Sequence, residues 1–165
     1  MIAVSNTTPL RYLIAIGQEQ LFPGLFEKVF VPSEVHEELT KIRTPERVRR
    51  LVQSLPSWYV VREVRDVPMV PLPAMLHRGE REAILLAEAL KPDFVLIDEQ
   101  VGRTVALQRN LPVSGTLGVL ERADTLGFVQ DFPIILAKLK ASGFFISSSL
   151  EYEILLRYRT RQGAK

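Results

Sequence analysis

Short apolar runs separated by longer amphipathic segments constrain this chain more than any other feature. "IAVS" at residues 2–5, "KVFVP" at 28–32 and "DFVLID" at 93–98 each have the length and composition of a buried strand. "WYVVREV" has the β-rich character of an edge strand, and "LPVSG" is a short strand and turn. Helical patterns lie between them. Leu10, Leu13 and Ile14 share one helix face, as do Val35 and Leu39, and Val48, Leu51, Val52 and Leu55. "RGEREAILLAEALK" at 78–91 and "EQVGRTVALQRN" continue the alternation. Strand–helix alternation of this kind predicts an α/β fold with a parallel sheet covered by helices on both faces.

Local signals set the expected boundaries. Thr8 with Pro9 behind it suits a helix start, because proline's missing N–H costs nothing at the first helical position. Thr44 and Thr116 are expected to cap the helices that follow them, and Gly17 and Asn110 to end the ones before them. A short helical stretch spans 20–26, and further helices are expected at about 131–141 and 147–159, the last with a basic tail. Residues 66–74, "DVPMVPLPA", contain Pro68, Pro71 and Pro73 and read as an extended crossing segment within one domain. The 165 residues thus predict a single domain with no internal repeat.

The chain has no cysteine, which excludes disulfides and thiolate metal sites. With only His36 and His77, any metal must be held mainly by oxygen. No apolar run approaches a membrane span, and no basic n-region precedes the first strand, so a cytoplasmic location without membrane contact is expected. The formal net charge is only +2. Lys41, Arg43, Arg47, Arg49 and Arg50 nevertheless cluster, and Arg157, Arg159, Arg161 and Lys165 crowd the C-terminus. Either group is a solvated surface or a phosphate-backbone footprint.

Functional side chains in an open parallel sheet gather beyond the carboxyl ends of the strands. Asn6 follows the first strand, Glu38 lies on the helix after "KVFVP", Glu80 opens the helix after the proline segment, and Asp98 ends "FVLID". Four oxygen donors on one rim suit Mg²⁺ or Mn²⁺, which prefer hard ligands and retain waters. Each has a plainer reading. Asp98 can be an N-cap, Glu80 can complement a helix dipole, Glu37 and Glu38 can be exposed, and Asn6 can serve a turn. No phosphate-binding loop, dinucleotide fingerprint, Ser/His/Asp triad or zinc motif is present.

In this order, "VSNTTPL", "VFVPSEVHEEL", "RGEREAILLAEAL", "VLIDEQVGRTVA" and "LPVSGTLGVLERA" resemble PIN-domain proteins of the DUF3368 type, over residues 2–141. The resemblance implies a three-layer α/β/α fold and a metal-dependent ribonuclease pocket, often in toxins of toxin–antitoxin pairs. It places the family's acids on Asn6, Glu38, Glu80 (Glu82 less well) and Asp98. Of these, Glu38, Glu80 and Asp98 would be catalytic, and all four would ligate Mg²⁺ or Mn²⁺. Thr116 takes the small-hydroxyl position, Thr7 and Thr8 flank Asn6, and Arg103 matches an arginine suited to phosphate or to a neighbouring acid. Asn6 departs from the usual aspartate, so weaker metal binding is implied.

Three functions are therefore expected to compete. One is a Mg²⁺- or Mn²⁺-dependent ribonuclease acting on RNA single strands or loops. Another is a non-catalytic nucleic-acid-binding module on the same fold. The third is an interaction protein that pairs with an antitoxin or with a second copy as a dimer. In the last case, Leu150, Ile154, Leu155 and Tyr158 offer an apolar seam.

Overall fold

The computed structural model describes residues 1–65 and 71–165. Its elements run β1 (Ile2–Ser5), α1 (Thr7–Ala15), α2 (Leu21–Leu25), β2 (Lys28–Pro32), α3 (Ser33–Thr40), α4 (Glu46–Gln53) and β3 (Tyr59–Arg62). They continue with α5 (Arg78–Leu90), β4 (Phe94–Leu96), α6 (Gln100–Gln108), β5 (Val113–Ser114), α7 (Thr116–Thr125), α8 (Phe132–Ala141) and α9 (Ser148–Gly163). Five strands form one sheet in the order β3-β2-β1-β4-β5. Every pairing is parallel, with Val4 opposite Phe30 on one side and opposite Val95 on the other.

Period-two alternation along the strands splits the core between the two faces. Ala3 and Leu96 pack with Leu10, Leu13, Leu39, Leu120 and Leu136 from α1, α3, α7 and α8. Val4, Val95 and Ile97 pack with Ile84, Leu86 and Ala106 from α5 and α6. The result is the expected three-layer α/β/α arrangement. "WYVVREV" supplies the edge strand, shortened to β3.

Helix C-termini follow the local rules. After α1, Gly17 has φ +79 and its N–H reaches Ile14, while Gln18 N–H reaches Leu13. The same paired bonds close α6 at Asn110 (φ 58) and Leu111. These are Schellman ends, in which a left-handed residue turns the chain so that the last carbonyls are satisfied.

Helix starts depart from expectation. Asn6, not Thr8, precedes α1, and Pro9 is the third helical residue, not the first. Pro45, not Thr44, precedes α4, and Gly115, not Thr116, precedes α7. In each case the threonine hydroxyl is used for a longer-range bond. Thr8 donates to Glu99, Thr44 to the carbonyl of Glu38, and Thr116 to Asp98. Of the segment read as extended over 66–74, residues 66–70 lie outside the described residues. Leu72 and Leu76 bury themselves beside α5. The last helix extends to Gly163, beyond the expected end at 159. Ile154 is fully buried, and Leu155 and Tyr158 pack on the core, so most of the expected seam is used within the chain. No described helix is long and apolar enough to cross a membrane.

Candidate functional site

The strand order reverses direction at β1, which has β2 on one side and β4 on the other. Beyond the carboxyl ends of β1 and β4 lies the crevice that such a reversal creates. Asn6 leaves β1 there, its backbone N–H held by the carbonyl of Leu96 at 3.0 Å. Its side chain is almost wholly buried. The Nδ2 group donates to Glu99 Oε2 at 3.2 Å. The opposite atom, Oδ1, faces Gly79, where an added Cβ would lie 3.1 Å away.

Three elements add carboxylates. From α3, Glu38 Oε2 accepts the Thr7 hydroxyl at 2.9 Å and also lies against Gly79. Glu99, on the turn between β4 and α6, accepts the Thr8 hydroxyl at 2.6 Å. Glu80, in the first turn of α5, is only 3% exposed, and its Oε2 has no hydrogen-bond partner among the described residues. That oxygen sits against Gly102, where a Cβ would approach to 2.7 Å. Two glycines thus leave room for the acids: Gly79 for Asn6 and Glu38, and Gly102 for Glu80.

Asn6, Glu38, Glu80 and Glu99 line one cavity of about 280 Å³, together with Thr7, Thr8, Arg11 and His77. Burial pushes the Glu80 carboxyl above its usual range, and the nearby Glu99 charge pushes the same way. His77, by its charge and backbone N–H, pulls in the opposite direction and does not cancel the rise. Arg11 has no hydrogen bond or ion pair among the described residues. An unpaired guanidinium beside three carboxylates leaves its donors available to an anion.

Asp98 lies elsewhere. Its Oδ1 accepts the Thr116 backbone N–H at 2.8 Å, and its Oδ2 accepts the Thr116 hydroxyl at 2.6 Å. Gly115 allows this approach, since a Cβ there would stand 2.6 Å from Oδ1. Burial raises the Asp98 carboxyl, against the bonds from Thr116. Arg103 donates to the carbonyl of Ile97 at 2.9 Å and stands beside Asp98. Contrary to expectation, Asp98 thus lines not the cavity of Asn6, Glu38 and Glu80 but the groove that adjoins it at Glu99. Its neighbour Glu99 occupies that wall, and Asp98, Thr116 and Arg103 form a separate cluster that holds the start of α7. Glu82 likewise turns away, accepting the backbone N–H of Glu34 at 3.2 Å.

The residues outside the expected set are Glu99, Arg11 and His77. The motif "IDEQ" carried a signal for Glu99, since two adjacent acids end the strand, but not for which of them faces the crevice. The basic clusters are largely engaged within the chain. Arg47 binds Glu19 and the carbonyl of Ile14, Arg49 binds the carbonyl of Thr44, Arg157 pairs with Glu121, and Arg161 with Asp124.

Apart from His77, the side chains in the cavity that can ligate a cation offer hard oxygen, the chemistry that suits Mg²⁺ or Mn²⁺. Among the described residues, no three acids or histidines stand close enough to enclose a metal. A closed protein cage is thus absent. The set fits an ion held by one or two carboxylates that keeps most of its waters, and the unpartnered Glu80 oxygen is the donor most in need of a partner.

No curated protein is similar enough to the chain to count as a match. Among solved structures, a PilT N-terminus domain protein from the hyperthermophilic archaeon Sulfolobus solfataricus P2 aligns with a TM-score of 0.54 and 15% identity. The alignment covers 74% of this chain and 93% of that one, and at such identity it speaks for the fold alone. A family model, DUF3368 with the description PIN domain, matches residues 2–159. With a nuclease-like fold and an acid-lined crevice at its switch point, the chain belongs to this family of PIN-domain proteins.

Proposed function

We propose that the protein is a Mg²⁺- or Mn²⁺-dependent ribonuclease that hydrolyses RNA phosphodiester bonds, of the kind that serves as the toxin of a toxin–antitoxin pair. The observation that carries this reading is the meeting of Asn6, Glu38, Glu80 and Glu99, from four separate elements, in one cavity with an unpartnered buried carboxylate oxygen. A divalent cation bound there supplies an acidified water and a counter-charge for the phosphodiester. Glu38 and Glu99, each fixed by a threonine hydroxyl, would hold it. Glu80, with a raised proton affinity and a free Oε2, suits proton uptake from the attacking water. Arg11 receives a phosphate oxygen. Asn6 adds a neutral oxygen where an acid would add charge, so metal affinity and rate are low.

A second reading rests on that same amide. Asn6 Nδ2 already donates to Glu99, so a proton donor on the protein meets part of the charge that a metal would otherwise meet. On this reading the fold is a catalytically inactive module that binds nucleic acid or a protein. Cleavage assays with several labelled RNAs in Mn²⁺ separate the two. The nuclease reading expects cutting that disappears in Glu80→Ala and Glu99→Ala and strengthens in Asn6→Asp. Absence of cutting by both wild type and Asn6→Asp favours the inactive module.

A further inference from the structure

A second, larger groove of about 710 Å³ adjoins the acid-lined cavity and shares Thr8, Tyr12 and Glu99 with it. Its character is different. Phe144, Phe145, Leu117 and Leu150 line it, with Arg103 and the backbone at Gly115.

The end of α8 explains its outer wall. Gly143 adopts φ +100, its N–H reaches Lys140, and the Phe144 N–H reaches Leu139. This Schellman turn brings Phe144 inward, where its ring meets Tyr12 edge-on at 5.2 Å between centroids. The next residue, Phe145, is left 85% exposed, the second most exposed of the large apolar side chains among the described residues. A phenyl face held this open, at the lip of a groove that leads to carboxylates, has no role in the core.

We propose that this groove binds an unstacked nucleobase of a single-stranded RNA whose backbone crosses the acid-lined cavity. The proposal rests on the nuclease reading and adds to it the side chains that hold a base. Three features favour a nucleobase over an apolar protein segment. The groove is continuous with the acid-lined cavity through Thr8, Tyr12 and Glu99, which puts it beside a phosphodiester held there. Its volume lies within the range of small-ligand pockets. Its floor mixes aromatic rings with charged and backbone groups, which suits a flat heterocycle with polar edges. Duplex RNA, whose bases are stacked and paired, cannot present a base to Phe145.

The test is fluorescence anisotropy with a labelled single-stranded RNA and with the same sequence as a duplex. Ca²⁺ replaces Mn²⁺, so that binding is read apart from cutting. Phe145→Ala is expected to weaken single-strand binding about fivefold or more, by loss of one stacking platform. Phe145→Trp is expected to restore it, and duplex binding to stay equally weak in all three proteins. Phe128→Ala, which removes another half-exposed phenyl, packed near Gly24 and not lining the groove, is the control and leaves single-strand binding unchanged. Equal single-strand binding by wild type and Phe145→Ala overturns the proposal. So does a Phe145-dependent dimer in sedimentation with single-strand binding unaltered, which would assign the groove to a second copy. Phe145-dependent binding without any cutting in Mn²⁺ leaves the groove standing and removes the nuclease reading alone.

Discussion

Asp98 and Glu99 are neighbours in sequence with opposite surroundings. Both oxygens of Asp98 are satisfied by Thr116, and the carboxylate ties β4 to the first turn of α7. Glu99 takes one hydroxyl and one amide from the start of α1 and stands in the acid-lined cavity opposite Glu80. A carboxylate with its full complement of protein donors is a structural part. One that lines a cavity with Glu38, Glu80 and Arg11, a cation with no ion pair among the described residues, is placed where a ligand can meet it. The contrast separates what holds the fold from what the fold presents.

Breaking the structural side should give the largest effect. Asp98→Ala removes two bonds to a charged acceptor and the anion at the start of α7. We expect a loss of about 2–4 kcal/mol in urea unfolding. Asp98→Asn keeps an acceptor and should lose distinctly less. A change within about 0.5 kcal/mol for the alanine variant would erase the contrast.

On the other side, Glu80→Gln should stabilise the metal-free protein at neutral pH by about 1 kcal/mol, because a buried charge with an unsatisfied oxygen is removed. The sign follows from linkage. The folded Glu80 carboxyl titrates above its unfolded value, so the folded state binds the proton more tightly. Stability therefore falls as pH rises through the window between the two values, and the full penalty persists above it. Below the unfolded value, wild type and Glu80→Gln should unfold alike. Thermal scans across pH 4–8 would show the two curves diverging upward. Parallel curves would place Glu80 in an ordinary environment.

Asn6→Asp sharpens the same side. It replaces a donated bond to Glu99 with like charge, so the metal-free protein should lose about 1 kcal/mol. With Mn²⁺ present the order should reverse, because a further anionic donor joins the cavity. Thr8→Val has the smallest expected effect, about 0.5–1 kcal/mol from one hydroxyl, with a looser Glu99 and weaker Mn²⁺ binding.

The architecture was legible because strands β1, β2 and β4 are short apolar runs whose periodicity admits little else. The placement of Asn6 and Glu80 was legible for a related reason: one follows a strand and the other opens a helix at the rim where a parallel sheet collects its ligands, while Glu38, late in α3, was placed there by the family resemblance. The misplaced helix starts share one cause. Thr8, Thr44 and Thr116 obey the local preference for capping, but each hydroxyl bonds outside its own helix, to Glu99, to the Glu38 carbonyl and to Asp98. The choice between Asp98 and Glu99 was hidden for the same kind of reason. Continuing the alternation of β4 puts Asp98 on the side of Leu96, where α7 lies, but only the packed position of Thr116 decides that its carboxylate is used there. Phe145 gave no signal in the sequence, since an aromatic after a helix-ending glycine is as readily buried as exposed.

The account turns on Glu99, not Asp98, facing the cation. The direct measurement is the rise in unfolding temperature on adding Mn²⁺ to wild type, Asp98→Asn and Glu99→Ala. We expect the rise in wild type to persist in Asp98→Asn, from its lower starting point, and to vanish in Glu99→Ala. A rise that survives in Glu99→Ala and is lost in Asp98→Asn would contradict it.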